Sequence, residues 1–403
     1  MQHVFIVGAK SLGAYGGYET FVNKLTEYHQ YNKKIKYHIA CKANGDGSMN
    51  EKGLPEVTKL DDKQFEYKNA HCFKLEVPQI GPAQAIYYDI LALNYCCEYI
   101  RKNSISGAIV YILACRIGPF AAFFEKKIHD LGGKVYVNPD GHEWKRTKWP
   151  VLVRKYWKYS ERLMVKHADL LVCDSKNIEK YICQEYNKYN PQTTYIAYGA
   201  DMSRSVLADN DEKLQQWYEK NGLKEKKYYL VVGRFVPENN YETMIREFMK
   251  SDTKKDLVII TNVTKNKFYN YLSKSTGFEA DSRIKFVGTV YDQELLKKIR
   301  EKAFAYIHGH EVGGTNPSLI EALSSTELNL LLDVGFNQEV AEDGAVYFGK
   351  EHGGLARLIS NVENMSSEER MQLGKKAYER VMQCYSWDYI ASEYEKLFLN
   401  RKI

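Results

Sequence analysis

The chain has 403 residues, 44% of them hydrophobic and 27% charged, and a formal net charge of +6. That length exceeds one ordinary core and suits two domains of about 200 residues each. No run nears the roughly 20 apolar residues that span a bilayer, and residues 1–8 read as a strand rather than a signal peptide. The charge is too mild to call for a nucleic-acid partner, and a cytoplasmic protein is expected.

In the first half, β-rich runs at 3–7, 36–41, 108–113, 134–138, 170–173 and 194–197 alternate with helical patterns at 19–31, 83–102, 119–131 and 175–186. This alternation predicts a parallel sheet covered by helices. The loop after the first strand, Gly8-Ala9-Lys10-Ser11-Leu12-Gly13-Ala14-Tyr15-Gly16-Gly17, opens a helix. Its glycines let the backbone approach a ligand, and the helix N-terminus offers N–H groups to an anion. It is not GxGxxG, and the second strand ends at Cys41-Lys42 rather than at an acid. A dinucleotide dehydrogenase is therefore excluded.

Asp140 within Asn138-Pro139-Asp140-Gly141, Asp174 and Tyr198 stand at strand ends. Between Trp144 and Ser160 lie six basic residues (Lys145, Arg146, Lys148, Arg154, Lys155, Lys158), three tryptophans and no acid. That stretch, with the helix 87–99, fits a surface that meets anionic lipid headgroups. The polar stretch 201–227 marks a boundary.

The strand pattern then restarts at 228–232, 257–260, 284–287, 305–308, 328–332 and 345–348, with helices at 241–250, 265–275, 292–302 and 317–324. The first of these strands delivers Gly233-Arg234, where a guanidinium can grip a diphosphate bidentately. The fourth runs through His308-Gly309-His310-Glu311 into Gly313-Gly314-Thr315-Asn316-Pro317-Ser318, with Glu321 on the helix behind, placed to accept from a ribose. Pro317 suits a first helical position. His308, His310 and Glu311 lack a zinc-ligand spacing. A last helix begins at Ser386-Trp387.

The eight cysteines (41, 72, 96, 97, 115, 173, 183 and 384) form no CxxC pair and read as reduced thiols, mostly in apolar runs. Asp209-Asn210-Asp211 has the Asp-x-Asp spacing of metal-dependent transferases but lies in the polar linker, so no metal and no cofactor are expected.

Gly16-Gly17-Tyr18-Glu19, Gly233-Arg234-Phe235-Val236-Pro237-Glu238 and the glycine-rich turn before Glu321 resemble the retaining GT-B glycosyltransferases of family 4. The resemblance covers the whole chain, including Ala168-Asp169, Tyr198-Gly199-Ala200-Asp201 and the last helix. It implies an α/β GT-B fold: two Rossmann-like doubly wound domains facing a central cleft. The expected bounds are 1–203 for the acceptor domain, 204–383 for the nucleotide-sugar domain, and 384–403 for a helix crossing back to the first.

More narrowly, residues 138–146 and 309–321 look like bacterial rhamnosyltransferases of capsule and rhamnose-polysaccharide assembly. Those enzymes add β-1,4-linked rhamnose from dTDP-L-rhamnose to a hexose on undecaprenyl diphosphate, at the inner leaflet. The chain departs from the family in three places. Gly313 stands eight before Glu321, where a glutamate is usual; Asn239 stands for a lysine; Asp140 stands for a histidine. The resemblance implies a front-face reaction in which the leaving phosphate takes the acceptor proton. In it Lys145, Arg234, Gly16, Gly17, Gly314, Thr315 and Asn316 would serve the diphosphate, with Ser318 and Glu321 also on the donor. Asp140 and Glu238 would meet sugar hydroxyls or the acceptor, with Asp174 and Tyr198 beside them.

Overall fold

The structure, a computed structural model, describes residues 1–14, 16–146, 149–263, 265–312 and 314–400; Lys148 and Gly313 lie outside them. It divides into two compact units, Met1–Gly199 with the final helix, and Ala200–Ser386.

The first unit holds β1 (Gln2–Val7), α1 (Gly17–Tyr28), β2 (Ile35–Lys42), β3 (Thr58–Lys59), β4 (Gln64–Tyr67), β5 (Ala70–Leu75), α2 (Gln84–Lys102), β6 (Ile109–Leu113) and α3 (Ala121–His129). It continues with β7 (Lys134–Asn138), α4 (Val151–Lys166), β8 (Leu170–Cys173), α5 (Lys176–Glu185) and β9 (Thr193–Tyr195). The strands form one sheet in the order β3-β4-β5-β2-β1-β6-β7-β8-β9. From β5 to β9 the pairing is parallel, and β6 (Ile-Val-Tyr-Ile-Leu) and β8 (Leu-Leu-Val-Cys) are the continuous apolar runs expected of strands buried on both faces.

The antiparallel β3-β4-β5 edge is absent from the sequence-based expectation. The β4–β5 hairpin turns on Lys68-Asn69, both left-handed (φ 45° and 62°). Such a turn normally announces itself by Asn-Gly, which is missing here.

The second unit holds α6 (Glu212–Asn221), β10 (Tyr228–Val232), α7 (Tyr241–Met249), β11 (Asp256–Ile260), α8 (Lys267–Thr276), β12 (Ile284–Gly288), α9 (Gln293–Glu301) and β13 (Ala305–His308). After these come α10 (Pro317–Ser325), β14 (Asn329–Leu332), α11 (Gly335–Ala341), β15 (Val346–Phe348), α12 (Gly354–Glu363) and α13 (Ser367–Tyr385). Its all-parallel sheet runs β12-β11-β10-β13-β14-β15, the strand order of a dinucleotide-binding Rossmann fold. One core face gathers Tyr229, Val231, Phe248, Ile259 and Ile307; the other gathers Trp217, Tyr228, Leu230 and Tyr306.

The final helix α14 (Trp387–Phe398) packs on the first unit. Its Tyr394 hydroxyl meets that of Tyr111 on β6 at 3.1 Å, and Gly199 leaves room for the Trp387 ring. The chain thus passes between units at Gly199–Ala200 and Ser386–Trp387.

Three histidines cross the first sheet in a hydrogen-bonded row. Gln64 donates its amide N–H to Asp61 Oδ2 (2.8 Å), so its Oε1 accepts from His71 Nε2 (2.8 Å). His71 Nδ1 then accepts from His38 Nδ1 (3.2 Å), and His38 Nε2 from His3 Nδ1 (2.9 Å). Burial, then the neighbouring His71, His3 and Lys36, push His38 down to about 2; His3 and His71 are also lowered, chiefly by burial.

The unfolded chain therefore binds protons below about pH 6.5 that the folded row refuses, and stability present at neutral pH is lost as pH falls from there. The melting temperature should drop between pH 7 and pH 5. His38→Gln should flatten that drop; an unchanged slope would remove His38 from it.

Candidate functional site

In open α/β sheets the ligand crevice lies past the carboxyl ends of the strands, where the strand order reverses. Each unit has such a point. In the second unit it falls between β10 and β13, which pair through Tyr229 and Ala305.

There the two following loops are tied together. Asn240 Nδ2 donates to the Gly309 carbonyl (2.8 Å) and to Glu311 Oε2 (3.2 Å), and the Glu311 N–H donates to the Glu238 carbonyl (3.2 Å). Glycine is required at 309 because a Cβ would stand 2.5 Å from the Asn239 carbonyl oxygen. Asn239 Nδ2 donates to the Arg234 carbonyl (2.7 Å), which turns its Oδ1 to His310 Nδ1 (2.7 Å). A lysine here could not make both bonds, so the residue that departs from the family pattern shapes the loop that carries Arg234.

Arg234 is exposed, and its guanidinium makes no hydrogen bond or ion pair with a described residue. Glu238 sits on the same crest, half-buried. Glu321 is held by buried Arg300 (2.7 Å) and keeps 30% of its side chain exposed, so its carboxylate is oriented before any ligand arrives. His308, at the end of β13, is pushed down to about 3 by burial, then by His310, and stays a neutral imidazole at physiological pH.

Some expected donor contacts are committed elsewhere. The Asn316 side chain caps α10, accepting from Ser318 N (3.0 Å) and Leu319 N, as asparagine before a helix favours. The Ser318 hydroxyl turns inward, 3.3 Å from the Tyr306 hydroxyl and 3.4 Å from the Val232 carbonyl. Thr315 is buried and Gly314 half-buried at the turn. Their backbone, rather than these side chains, is what a phosphate could meet.

In the first unit the strand order reverses beside β1 and β6. Gly8 is left-handed (φ 116°), and a Cβ there would stand 2.5 Å from the Leu113 carbonyl oxygen. Arg116, just past β6, donates through Nη1 to the Gly8 and Leu113 carbonyls (both 3.2 Å) and to buried Asp89 (3.1 Å). Its guanidinium lies 5.9 Å from the Tyr18 ring centre. The Tyr18 hydroxyl is pushed well above its ordinary pKa by burial first, then by Asp140, with Asp174 adding to it.

Tyr198 accepts from Asn138 Nδ2 (3.1 Å) and packs its ring on Phe21 and Tyr18. Asp140, Asp174 and Tyr198 thus meet around Tyr18 and Arg116. Ser175, not Asp174, caps α5. Tyr18, Arg116 and Asn138 were absent from the expected site, although a lone arginine closing the apolar run 108–115 was the available signal.

Three residues other than glycine here are left-handed: Ala114 (φ 74°), Asp140 (φ 59°) and His142 (φ 52°). Such strain costs on the order of 1–3 kcal/mol each and clusters where function requires it. Lys145 is exposed on the next turn, its Nζ 5.3 Å from the Trp144 ring centre. Gly17 would accommodate a Cβ freely, whereas at Gly16, which is extended, a Cβ would press on the Glu19 carboxylate that accepts from the Lys10 N–H. The N-terminus of α1 has no side-chain cap.

The expected lipid-facing set changes. Arg146 pairs with Glu143, and Lys158 with Glu185 (2.8 Å). On α2, Tyr95 stacks on Phe73 and Tyr99 on His71, leaving Tyr87 as the exposed aromatic of that helix.

Two family models match. Residues 1–201 match a domain of unknown function (DUF1972), and residues 214–380 match glycosyl transferases group 1. Among solved structures the chain is similar to a sucrose-phosphate synthase from Thermosynechococcus elongatus, at 15% identity over 99% of each chain and a TM-score of 0.72. It is also similar to an α,α-trehalose 6-phosphate synthase from Burkholderia multivorans (10% identity, 99% of this chain and 96% of that one, TM-score 0.73). A third is Anabaena Alr3699/HepE in complex with UDP (11% identity, 99% of this chain and 100% of that one, TM-score 0.68). No curated protein sequence matches the chain.

Proposed function

For a chain that is a glycosyltransferase of the GT-B type, we propose that it moves L-rhamnose from dTDP-L-rhamnose to glucose or N-acetylglucosamine on undecaprenyl diphosphate, in cell-surface polysaccharide synthesis. The observation that carries a nucleotide-sugar donor is Arg234, an exposed cation without a partner among the described residues, on the loop after β10 at the strand-order reversal. The rhamnosyl choice stands on the likeness of residues 138–146 and 309–321 to rhamnosyltransferases.

In the reaction the bond from the sugar's anomeric carbon to the diphosphate oxygen breaks, and a bond to the acceptor oxygen forms on the same face. The acceptor proton passes to the departing diphosphate. In the second unit Arg234 and the backbone N–H groups at 314–316 offset the growing negative charge, while Glu321 holds the ribose; in the first unit Lys145 and the backbone N–H groups at 16–17 are the groups offered to an anion. Asp140, Asp174 and Tyr198 in the first unit, and Glu238 in the second, each serve sugar hydroxyls.

A panel of nucleotide-sugars with synthetic lipid-diphosphate glucose or N-acetylglucosamine, read by mass spectrometry, tests this. Deoxyhexose addition from dTDP-L-rhamnose alone is expected. UDP bound to one matched fold makes UDP-sugars the second donor set, and transfer from one of those would end the rhamnosyl assignment.

The lipid acceptor places the enzyme at the inner face of the membrane. No helix among the described residues is long and apolar enough to cross one. The outward row of α4, Val151, Leu152, Lys155 and Tyr159, is exposed, as are Phe120 and Phe123. Leu152→Asp with Lys155→Glu should weaken binding to anionic vesicles about tenfold or more, since each cation near the surface contributes about 1 kcal/mol. Transfer to a soluble acceptor should persist. Unchanged vesicle binding would exclude α4 as the docking face.

A further inference from the structure

Lys158 on α4 is held inside three aromatic rings. Its Nζ lies 4.8 Å from the Trp144 ring centre and 4.9 Å from those of Tyr181 and Tyr186. It also reaches the Tyr181 hydroxyl at 2.5 Å and Glu185 at 2.8 Å. Beneath it the buried Glu161 carboxylate accepts from the hydroxyls of Tyr181 and Tyr186. The cation is therefore anchored to α4 and α5, and Trp144 is the ring the 140–146 turn adds to the cage.

That turn needs an anchor. Asp140 and His142 are both left-handed, and such conformations persist only where the surroundings over-determine them. His142 packs edge-on against Tyr181, ring centres 4.2 Å apart. The Glu143–Arg146 pair and the Trp149 indole N–H on Glu143 (2.7 Å) tie the turn only to its own sequence neighbours. The cage ties it to the helices.

We infer that Trp144 is a positioning residue: docked on Lys158, its ring fixes the 140–146 turn and so sets where Asp140 stands beside Tyr18 and Arg116. This rests on the reading of Asp140 as a sugar-contacting group, and it replaces the lipid-facing role expected for Trp144.

The test compares Trp144→Leu with Trp144→Phe, using dTDP-L-rhamnose and a short-chain, soluble lipid-diphosphate hexose without vesicles. Trp144→Leu should lower kcat about tenfold, leave the donor KM within about twofold, and keep the melting temperature. Misplacing a reacting group by a fraction of an ångström has effects of this size. Trp144→Phe, which still stacks on the cation, should restore most of kcat. A second readout is the imidazole titration of His142 by NMR. Burial first, then Lys145, Lys158 and Arg146, hold it down to about 4; in Trp144→Leu the midpoint should climb toward 6.5 and return in Trp144→Phe.

Unchanged kcat in Trp144→Leu, equal losses in both variants, or a defect seen only with vesicles would overturn the inference. If instead Asp140→Asn proved fully active while the His142 midpoint still moved with Trp144, the anchoring would stand and the role of Asp140 would fall.

Discussion

Arg234→Ala should lower kcat/KM for sugar transfer at least about a hundredfold while leaving the melting temperature nearly unchanged. The stability half of this follows from what Arg234 lacks. It is exposed and has no partner among the described residues, so truncation strands no buried charge, and surface changes of that kind stay within about 0.5 kcal/mol. The activity half follows from where it stands. The loop bearing it is fixed by Asn239 to its own carbonyl and by Asn240 to Gly309, so the guanidinium is presented from a set backbone.

A preorganised donor aimed at charge that develops in the transition state is worth about 10²–10³ in rate. Arg234→Lys should recover only part of this, because an ammonium is a point charge without the bidentate fork. Initial rates at several donor concentrations, beside a thermal melt, check both halves. An alanine variant with more than half of wild-type kcat/KM would show that the diphosphate is held elsewhere.

Backbone features were legible in the sequence and side-chain commitments were not. Apolar runs separated by helical patterns located β10, β13 and β14 to within a residue, because strands buried on both faces carry an unambiguous hydrophobic signal. Gly8, Gly233 and Gly309 marked the ends of β1, β10 and β13. The β4–β5 hairpin was hidden because Lys68-Asn69 does not look like the turn it makes. The Asn316 side chain caps α10 and the Ser318 hydroxyl turns inward, commitments that a sequence does not display, while the backbone N–H groups expected to serve the diphosphate are unaffected by the cap.

Arg116, Tyr18 and Asn138 meet only because β1, β6 and β7 are adjacent, and sequence distance conceals that. The basic run shows the same limit. Six cations in a row looked like one surface, but Lys158 is folded into an aromatic cage and Arg146 into a local pair. Charge alone does not say which way a side chain turns.

The contrast between two substitutions at position 140 separates chemistry from backbone. Asp140 is left-handed, and its Oδ1 accepts from the Gly141 N–H (2.7 Å) while its own N–H donates to Asn138 Oδ1 (2.9 Å). Asparagine tolerates that conformation and keeps an oxygen for Gly141, so Asp140→Asn should fold and melt like wild type. What it removes is the negative charge facing Tyr18 and Arg116. Turnover should fall below about one hundredth of wild type, on the scale of lost transition-state electrostatics.

Asp140→Ala removes the same charge but puts a Cβ without a polar group into a left-handed position, at a cost of roughly 1–2 kcal/mol. It should therefore lose both activity and several degrees of melting temperature. An inactive, stable asparagine variant beside an inactive, destabilised alanine variant assigns the carboxylate to the reaction and the turn to the fold. A fully active asparagine variant would mean that the charge does nothing and that Asp140 serves only the turn that presents His142 and Trp144 to the cage.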